Sequence, residues 1–124
     1  MRILSVDDSR SIRLIIKNAV DVLGFDFLEA GDGREAWQVL EQEQGKLDLI
    51  LLDWNMPVMD GFELLQKLKA DDRFKGIPVI MVSTEGERGR VIDAIRVGAK
   101  NYVIKPFTQE ELAGKILESL GMAL

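Results

Sequence analysis

The sequence predicts an α/β fold: a doubly wound, five-stranded parallel sheet with five helices. Three observations predict it. Short apolar runs alternate along the chain with segments of helical periodicity. The most apolar run, Leu49-Ile50-Leu51-Leu52, shows no polar alternation, as expected of a strand covered on both faces. Four of the runs end directly on polar residues, at the strand edge where open parallel sheets form their sites.

Strand one spans residues 2–7 and delivers Asp7 and Asp8. Helix one follows, with Ile12, Ile15, Ile16, Ala19, Val20 and Leu23 at helical spacing and Gly24 as its stop. Residues 26–30 form a less apolar strand, expected near an edge. Residues 33–44 form helix two, closed by Gly45. Residues 48–53 form the central strand, ending on Asp53. Asp60 is the N-cap of helix three, which turns Phe62, Leu65 and Leu68 inward. Residues 77–83 form strand four, ending on Ser83-Thr84. Helix four begins near Glu87 and ends by Gly98, and Gly86 and Gly89 weaken its entry. Residues 101–105 form strand five, ending on Lys105. Thr108 and Glu111 make a capping box for helix five, whose apolar stripe is Leu112, Ile116 and Leu120. Right-handed crossovers and the strand order 2-1-3-4-5, the flavodoxin-like order, put strands one and three side by side. That order brings Asp7, Asp8 and Asp53 together.

The chain of 124 residues suits one domain, 1–124, with its own core. A hydrophobic content of 47% argues against disorder. The net charge of -5 argues against a nucleic-acid partner. No apolar run approaches a membrane span, and Met1 leads straight into strand one, so a soluble, cytoplasmic protein is expected. The chain has no Cys, which removes disulfides and thiol chemistry, and no His, which removes imidazole ligands and bases. Any reactive group must be a carboxylate, a hydroxyl or an amine.

Taken singly, the strand-end residues have plain explanations. Asp7-Asp8 could cap helix one, Lys105 could be a surface lysine, and Ser83 could cap its own backbone. Three carboxylates converging with a lysine argue otherwise, because like charges so placed repel strongly unless a cation joins them. Mg2+ takes oxygen ligands, one or two of them carboxylates, with Mn2+ as a substitute. Asp8 and Asp53 would bind it directly, Asp7 through water, and the Asn55 backbone carbonyl would complete the protein's share. Asp53, ending the central strand, is the candidate nucleophile toward phosphorus. Lys105 would neutralise the transferring group, and Ser83 would offer it a hydroxyl. Both isomers of the Lys105-Pro106 bond are open as far as the sequence goes.

In this order along the chain, Val6-Asp7-Asp8, Leu52-Asp53, Met56-Pro57, Asp60-Gly61, Val82-Ser83-Thr84 and Lys105-Pro106-Phe107 resemble the receiver domain of two-component response regulators. The resemblance covers the whole chain, and its strand order is the known order of that family. Trp54, Asn55, Glu85, Tyr102 and Thr108 make it most similar to the stand-alone chemotaxis regulators. The resemblance implies a phosphoacceptor at Asp53, supplied by a sensor histidine kinase. It also implies Mg2+ on Asp7, Asp8 and Asn55, and a switch pair of Ser83 and Tyr102. Asn55, Thr84 and Glu85 would tune dephosphorylation. Ser83 stands where Thr is commoner, and Thr84 where a smaller residue is usual.

The target would be a protein such as a flagellar motor switch component, bound by a monomer. Its docking surface would be helix four, strand five and helix five, where Arg88, Arg90, Arg96, Lys100, Tyr102 and Lys115 form a basic patch. No catalysis is expected beyond the chain's own phosphorylation and dephosphorylation. A phosphorelay intermediate is the alternative. An aspartyl phosphatase would need an acid where Asn55 stands, and a flavin phosphate would be repelled by Asp7-Asp8.

Overall fold

The computed structural model describes residues 1–84 and 88–122, with the side chain of Arg88 excepted. The chain runs β1 (Arg2–Val6), α1 (Arg10–Val22), β2 (Asp26–Ala30), α2 (Gly33–Gln42), β3 (Leu49–Asp53), α3 (Gly61–Lys69), β4 (Val79–Thr84), α4 (Arg88–Val97), β5 (Asn101–Lys105) and α5 (Gln109–Ser119). The strands pair in parallel in the order β2-β1-β3-β4-β5. The predicted fold and strand order are therefore those observed. β3 is central and buried at every residue, whereas edge strand β2 buries only Ala30.

Side chains that accept backbone N–H groups open four of the helices. Ser9 accepts from Ile12 at 3.3 Å, Asp32 from Glu35 at 2.8 Å, Asp60 from Glu63 at 2.8 Å, and Thr108 from Glu111 at 3.0 Å. Each satisfies a donor that the first helical turn leaves unpaired. Helix two is shorter than its sequence pattern, because Gln44 (φ 54°) and Gly45 (φ 70°) turn the chain into the left-handed region. β4 starts at Val79 rather than at residue 77, since Pro78 has no N–H to give a ladder. β1 ends at Val6, but the Asp7 N–H still donates to the Ala30 carbonyl at 3.1 Å.

Strand alternation divides the core into two. Leu4, Val6, Ile50, Leu52, Val79 and Met81 pack against α2, α3 and α4. Ile3, Leu49, Leu51, Ile80, Val82 and Val103 pack against α1 and α5 through Ile16, Ala19, Val20, Leu112 and Ile116. Leu65 and Leu68 are buried as expected, while Phe62 is half-buried and lies against the first core. Ile15 remains 45% exposed. Among the described residues, no helix is long and apolar enough to cross a membrane.

Candidate functional site

The pleat of the sheet selects the site residues. Val6 is level with Leu52 in the β1–β3 register, so Asp7 and Asp53 come next on their strands side by side. Counting alternately from Ile3, Leu51 and Val103, both aspartates and Lys105 belong to the α1/α5 face. Counting from Met81 instead, Ser83 belongs to the opposite face, which Tyr102 also covers. The two groups of predicted residues thus meet only at the end of the sheet.

Asp7, Asp8 and Asp53 each present a carboxylate oxygen within 4.8 Å of the other two, with Asp7 and Asp53 buried and Asp8 exposed. Lys105 Nζ bridges the buried pair, 3.1 Å from Asp7 Oδ2 and 3.1 Å from Asp53 Oδ1. The other Asp7 oxygen, Oδ1, accepts the Ser9 N–H at 2.9 Å. Burial, and then the charge of Asp7, raise the Asp53 carboxyl above its ordinary range against the pull of Lys105. Burial alone would lower the Lys105 ammonium, but Asp53 and Asp7 outweigh it and the net shift is upward. One ammonium therefore serves an excess of negative charge. The donor set is all oxygen, with no nitrogen or sulfur ligand, and so fits a hard cation such as Mg2+.

The backbone under Asp53 is held closely. The Trp54 N–H donates to the Val82 carbonyl at 3.2 Å, and the Gly61 N–H to the Trp54 carbonyl at 2.8 Å. A Cβ on Gly61 would stand 2.1 Å from the Asp53 carbonyl oxygen, so only glycine lets α3 begin here. The sequence marks the Asp60-Gly61 pair but carries no sign of this close approach. Arg13 is a site residue that sequence reasoning does not single out. Its guanidinium donates to the Asp7 carbonyl and pairs with Glu29 at 2.8 Å, bracing the start of the site from α1. Its one signal in the sequence is a charge next to the apolar stripe of α1. Val58, in the loop after β3, is 84% exposed at φ 69°, a conformation that a β-branched residue rarely adopts.

The remaining predicted residues lie around this centre. Ser83 is buried and its hydroxyl has no hydrogen-bond partner among the described residues; the Tyr102 hydroxyl is likewise buried and unpartnered among them. Thr84 is exposed and, with Ile12, Ile15, Lys105, Pro106 and Phe107, lines an apolar groove of about 230 Å³. The Lys105-Pro106 bond is cis. Asn55 is exposed, and its side-chain carbonyl accepts from Arg90. Glu85, Gly86, Glu87 and the side chain of Arg88 fall outside the described residues. Arg96 and Lys100 are exposed on or beside α4. Arg90 and Lys115 are half-buried, each beside other groups. Arg90 turns over Trp54 at 4.8 Å, and Lys115 shares a groove of about 480 Å³ with Glu110, Glu111, Glu118, Tyr102 and Ile104.

Residues 3–117 match the response regulator receiver domain. Over 122 residues the chain is 47% identical to chemotaxis protein CheY1 of Helicobacter pylori, covering 98% of each chain. Chemotaxis protein CheY of Pseudomonas aeruginosa is 45% identical, with 94% of this chain and 93% of that one covered. Among solved structures, Vibrio cholerae chemotaxis protein CheY4 superposes with a TM-score of 0.88 at 34% identity, covering 96% of this chain and 98% of that one. Receiver domains bind Mg2+ through an acidic pocket of this kind.

Proposed function

The chain belongs to the response regulator receiver family, as a CheY-like chemotaxis regulator, and we propose that it is a stand-alone switch thrown by phosphorylation of Asp53. The observation that carries this reading is the Lys105 ammonium shared between Asp7 and Asp53 at the end of the central strand, 3.1 Å from each. A buried carboxylate held beside a cation, in a pocket with excess negative charge, is poised to accept an electrophile that arrives with its own counter-ion.

In the transfer, an Asp53 carboxylate oxygen attacks the phosphorus of a phosphohistidine. The P–O bond forms as the P–N bond breaks, and the imidazole leaves with the electron pair. These 124 residues contain no His, so the donor imidazole lies outside them, on a sensor kinase. Mg2+, or Mn2+ in its place, would be held by Asp8, Asp53 and the Asn55 backbone carbonyl, with Asp7 acting through water, and would supply positive charge to the transferring oxygens. The two Asp7 oxygens already accept from Ser9 and Lys105, which favours the indirect role for that residue. Lys105 follows the charge from the carboxylates to the phosphoryl group. The Ser83 hydroxyl, without a partner among the described residues, donates to a phosphoryl oxygen. Asn55, Thr84 and Glu85 govern how long the group survives.

Ser83 shares its face of the sheet with Tyr102, so its displacement is felt by that ring. The Tyr102 hydroxyl is already buried in the described conformation. Phosphorylation then holds an inward state that the resting protein samples, instead of creating it. The output surface is α4, β5 and α5, where Ile104 is 47% exposed beside the groove containing Tyr102 and Lys115. Arg96 and Lys100 flank it. Its partner is a protein target such as a flagellar motor switch component, bound by a monomer in the cytoplasm.

With Mg2+ and acetyl phosphate the chain should gain one phosphoryl group that hydroxylamine removes, and Asp53→Asn should gain none. The phosphorylated form alone should capture the switch component. A label that persists in Asp53→Asn would sink the assignment.

A further inference from the structure

The sequence pattern puts Arg90 on an outer basic face, yet its guanidinium lies across the loop that follows the phosphoacceptor strand. Nη1 is 3.2 Å from Asn55 Oδ1, and the guanidinium carbon is 4.8 Å from the Trp54 ring centre. Trp54 is also stacked on Phe62, with centroids 5.0 Å apart and planes at 11°. Trp54 and Asn55 are the two residues after Asp53. One side chain from the first turn of α4 therefore touches both residues that leave the site.

The chemistry of the contact fixes its polarity. A guanidinium has donors and no acceptor, so the end of the amide that it meets is the carbonyl. The Asn55 Nδ2 is then directed away from Arg90. An acyl phosphate on Asp53 is lost when water attacks phosphorus. The new P–O bond forms, the bond to the Asp53 oxygen breaks with its electron pair left on the carboxylate, and inorganic phosphate leaves with the oxygen and both protons of the water, exchanging protons with solvent. A carbonyl that accepts a hydrogen bond from that water holds it in line and strengthens it as a nucleophile. Asn55 is the exposed amide nearest in sequence to the acyl group, and Arg90 takes one of the two lone pairs of its carbonyl oxygen and so fixes where that oxygen points.

We propose that Arg90 is a positioning residue that sets the lifetime of the phosphorylated state, by engaging the Asn55 carbonyl and holding it in an orientation turned from the hydrolytic water. The proposal rests on phosphorylation at Asp53 as described above. It gives this chain a tuning element on α4, the same helix that borders the output surface. A change that pulls the start of α4 away from Trp54 also releases Asn55, so partner binding and signal decay share one contact.

The test follows loss of phosphate from protein phosphorylated with acetyl phosphate and Mg2+, after donor removal, in parallel with Trp54 emission. Arg90→Met keeps an apolar stem on Trp54 but removes the donor; it should shorten the lifetime by roughly two- to tenfold, the range that one hydrogen bond spans. Arg90→Lys restores a donor and should recover most of the loss. In an Asn55→Ala background, Arg90→Met should change nothing further, because the group through which Arg90 acts is gone. Arg90→Ala should shift Trp54 emission to the red as the ring face opens to water. An unchanged lifetime in Arg90→Met overturns the proposal, as does equal shortening in the Asn55→Ala background. Unaltered Trp54 emission in an Arg90→Ala protein that phosphorylates normally overturns it alone. Failure of the wild-type chain to take up phosphate at all overturns the phosphorylation reading, and this proposal with it.

Discussion

The two ends of the sheet follow opposite rules. At the amino end the charged groups are held by hydrogen bonds, although Gln44 there also stands at positive φ, 54°. Arg2 pairs with Glu43 at 2.7 Å and donates to the Lys46 carbonyl at 3.1 Å, while the Arg2 N–H donates to Asp48 at 2.7 Å. Lys69 Nζ closes the loop before β4 by donating to the carbonyls of Lys75 and Ile77 at 3.0 and 2.9 Å. At the carboxyl end, Lys105 bridges two of three clustered carboxylates, the Ser83 hydroxyl has no partner among the described residues, and Val58 is held at positive φ. One end is arranged for stability. The other stores repulsion and unmet hydrogen bonding where a phosphoryl group and a cation can relieve them, with a strained residue, Val58, in the adjoining loop. Mutations at the two ends should therefore separate stability from function in opposite senses.

The largest effect is expected from Lys105→Ala. The ammonium bridges Asp7 and Asp53 at rest and has no substitute at the end of β5. Loss of one such preorganised charge slows transfer by about 10²–10³-fold. The rate of phosphorylation by acetyl phosphate under Mg2+, followed through Trp54 fluorescence, measures it. A reduction smaller than tenfold would mean that the cation cluster works without the lysine.

Asp53→Asn reverses the sign of the usual stability effect. The folded pKa of Asp53 is raised above 3.8, first by burial and then by Asp7. The native state therefore holds this proton more tightly than the unfolded chain does. The contribution of Asp53 to stability is full below pH 3.8 and is lost as the pH rises through the folded value. Lys105, raised above 10.5, loses its contribution only when the pH passes above that value, outside the acid window. Without divalent cations at pH 7, Asp53→Asn should unfold at a higher temperature than the wild type, and the gain should shrink on acidification toward pH 3.8. Added Mg2+ should stabilise the wild type more than the variant. A variant less stable than wild type in metal-free neutral buffer would show that Lys105 already balances the cluster.

The hydrogen-bonded architecture is more legible in the sequence than the strained one. Apolar runs such as Leu49-Ile50-Leu51-Leu52 read as strands, and their polar ends mark the site, since alternation carries Asp7, Asp53 and Lys105 to one face. Long-range placement is harder to read. Arg90 belongs to a helix of weak amphipathic pattern, and no local signal says that it turns toward Trp54. The close approach behind Gly61 depends on where the Asp53 carbonyl lies, a tertiary fact. Tyr102 could face either way on pattern alone, because its strand borders both core and solvent. The periodicity of helix two runs two residues past its end because Gln44 gives no warning of its positive φ.

Val58 tests the strain directly. At φ 69° and 84% exposure its side chain gains little from packing and costs the backbone its preferred conformation. Val58→Asn, which tolerates that region, should stabilise the chain by about 1 kcal/mol in thermal or urea unfolding. An unchanged or lower stability would show that the loop is not strained.

The smallest effect belongs to the amino end and provides the control. Arg2 and Glu43 meet with side chains 35% and 30% exposed, so water screens much of their attraction. Such pairs contribute about 0.2–1 kcal/mol. Arg2→Met keeps most of the stem, removes the guanidinium, and also frees the Lys46 carbonyl to solvent. Unfolding in urea should show a loss within that range. Phosphorylation by acetyl phosphate should proceed at the wild-type rate, because β1 separates Arg2 from Asp7 by its whole length. Lower stability with unchanged chemistry at one end, set against higher stability with abolished chemistry in Asp53→Asn at the other, is the pattern the comparison demands. A slowed Arg2→Met would mean that repulsion at the acidic pocket is felt along the full strand, and the two ends would have to be treated as one unit.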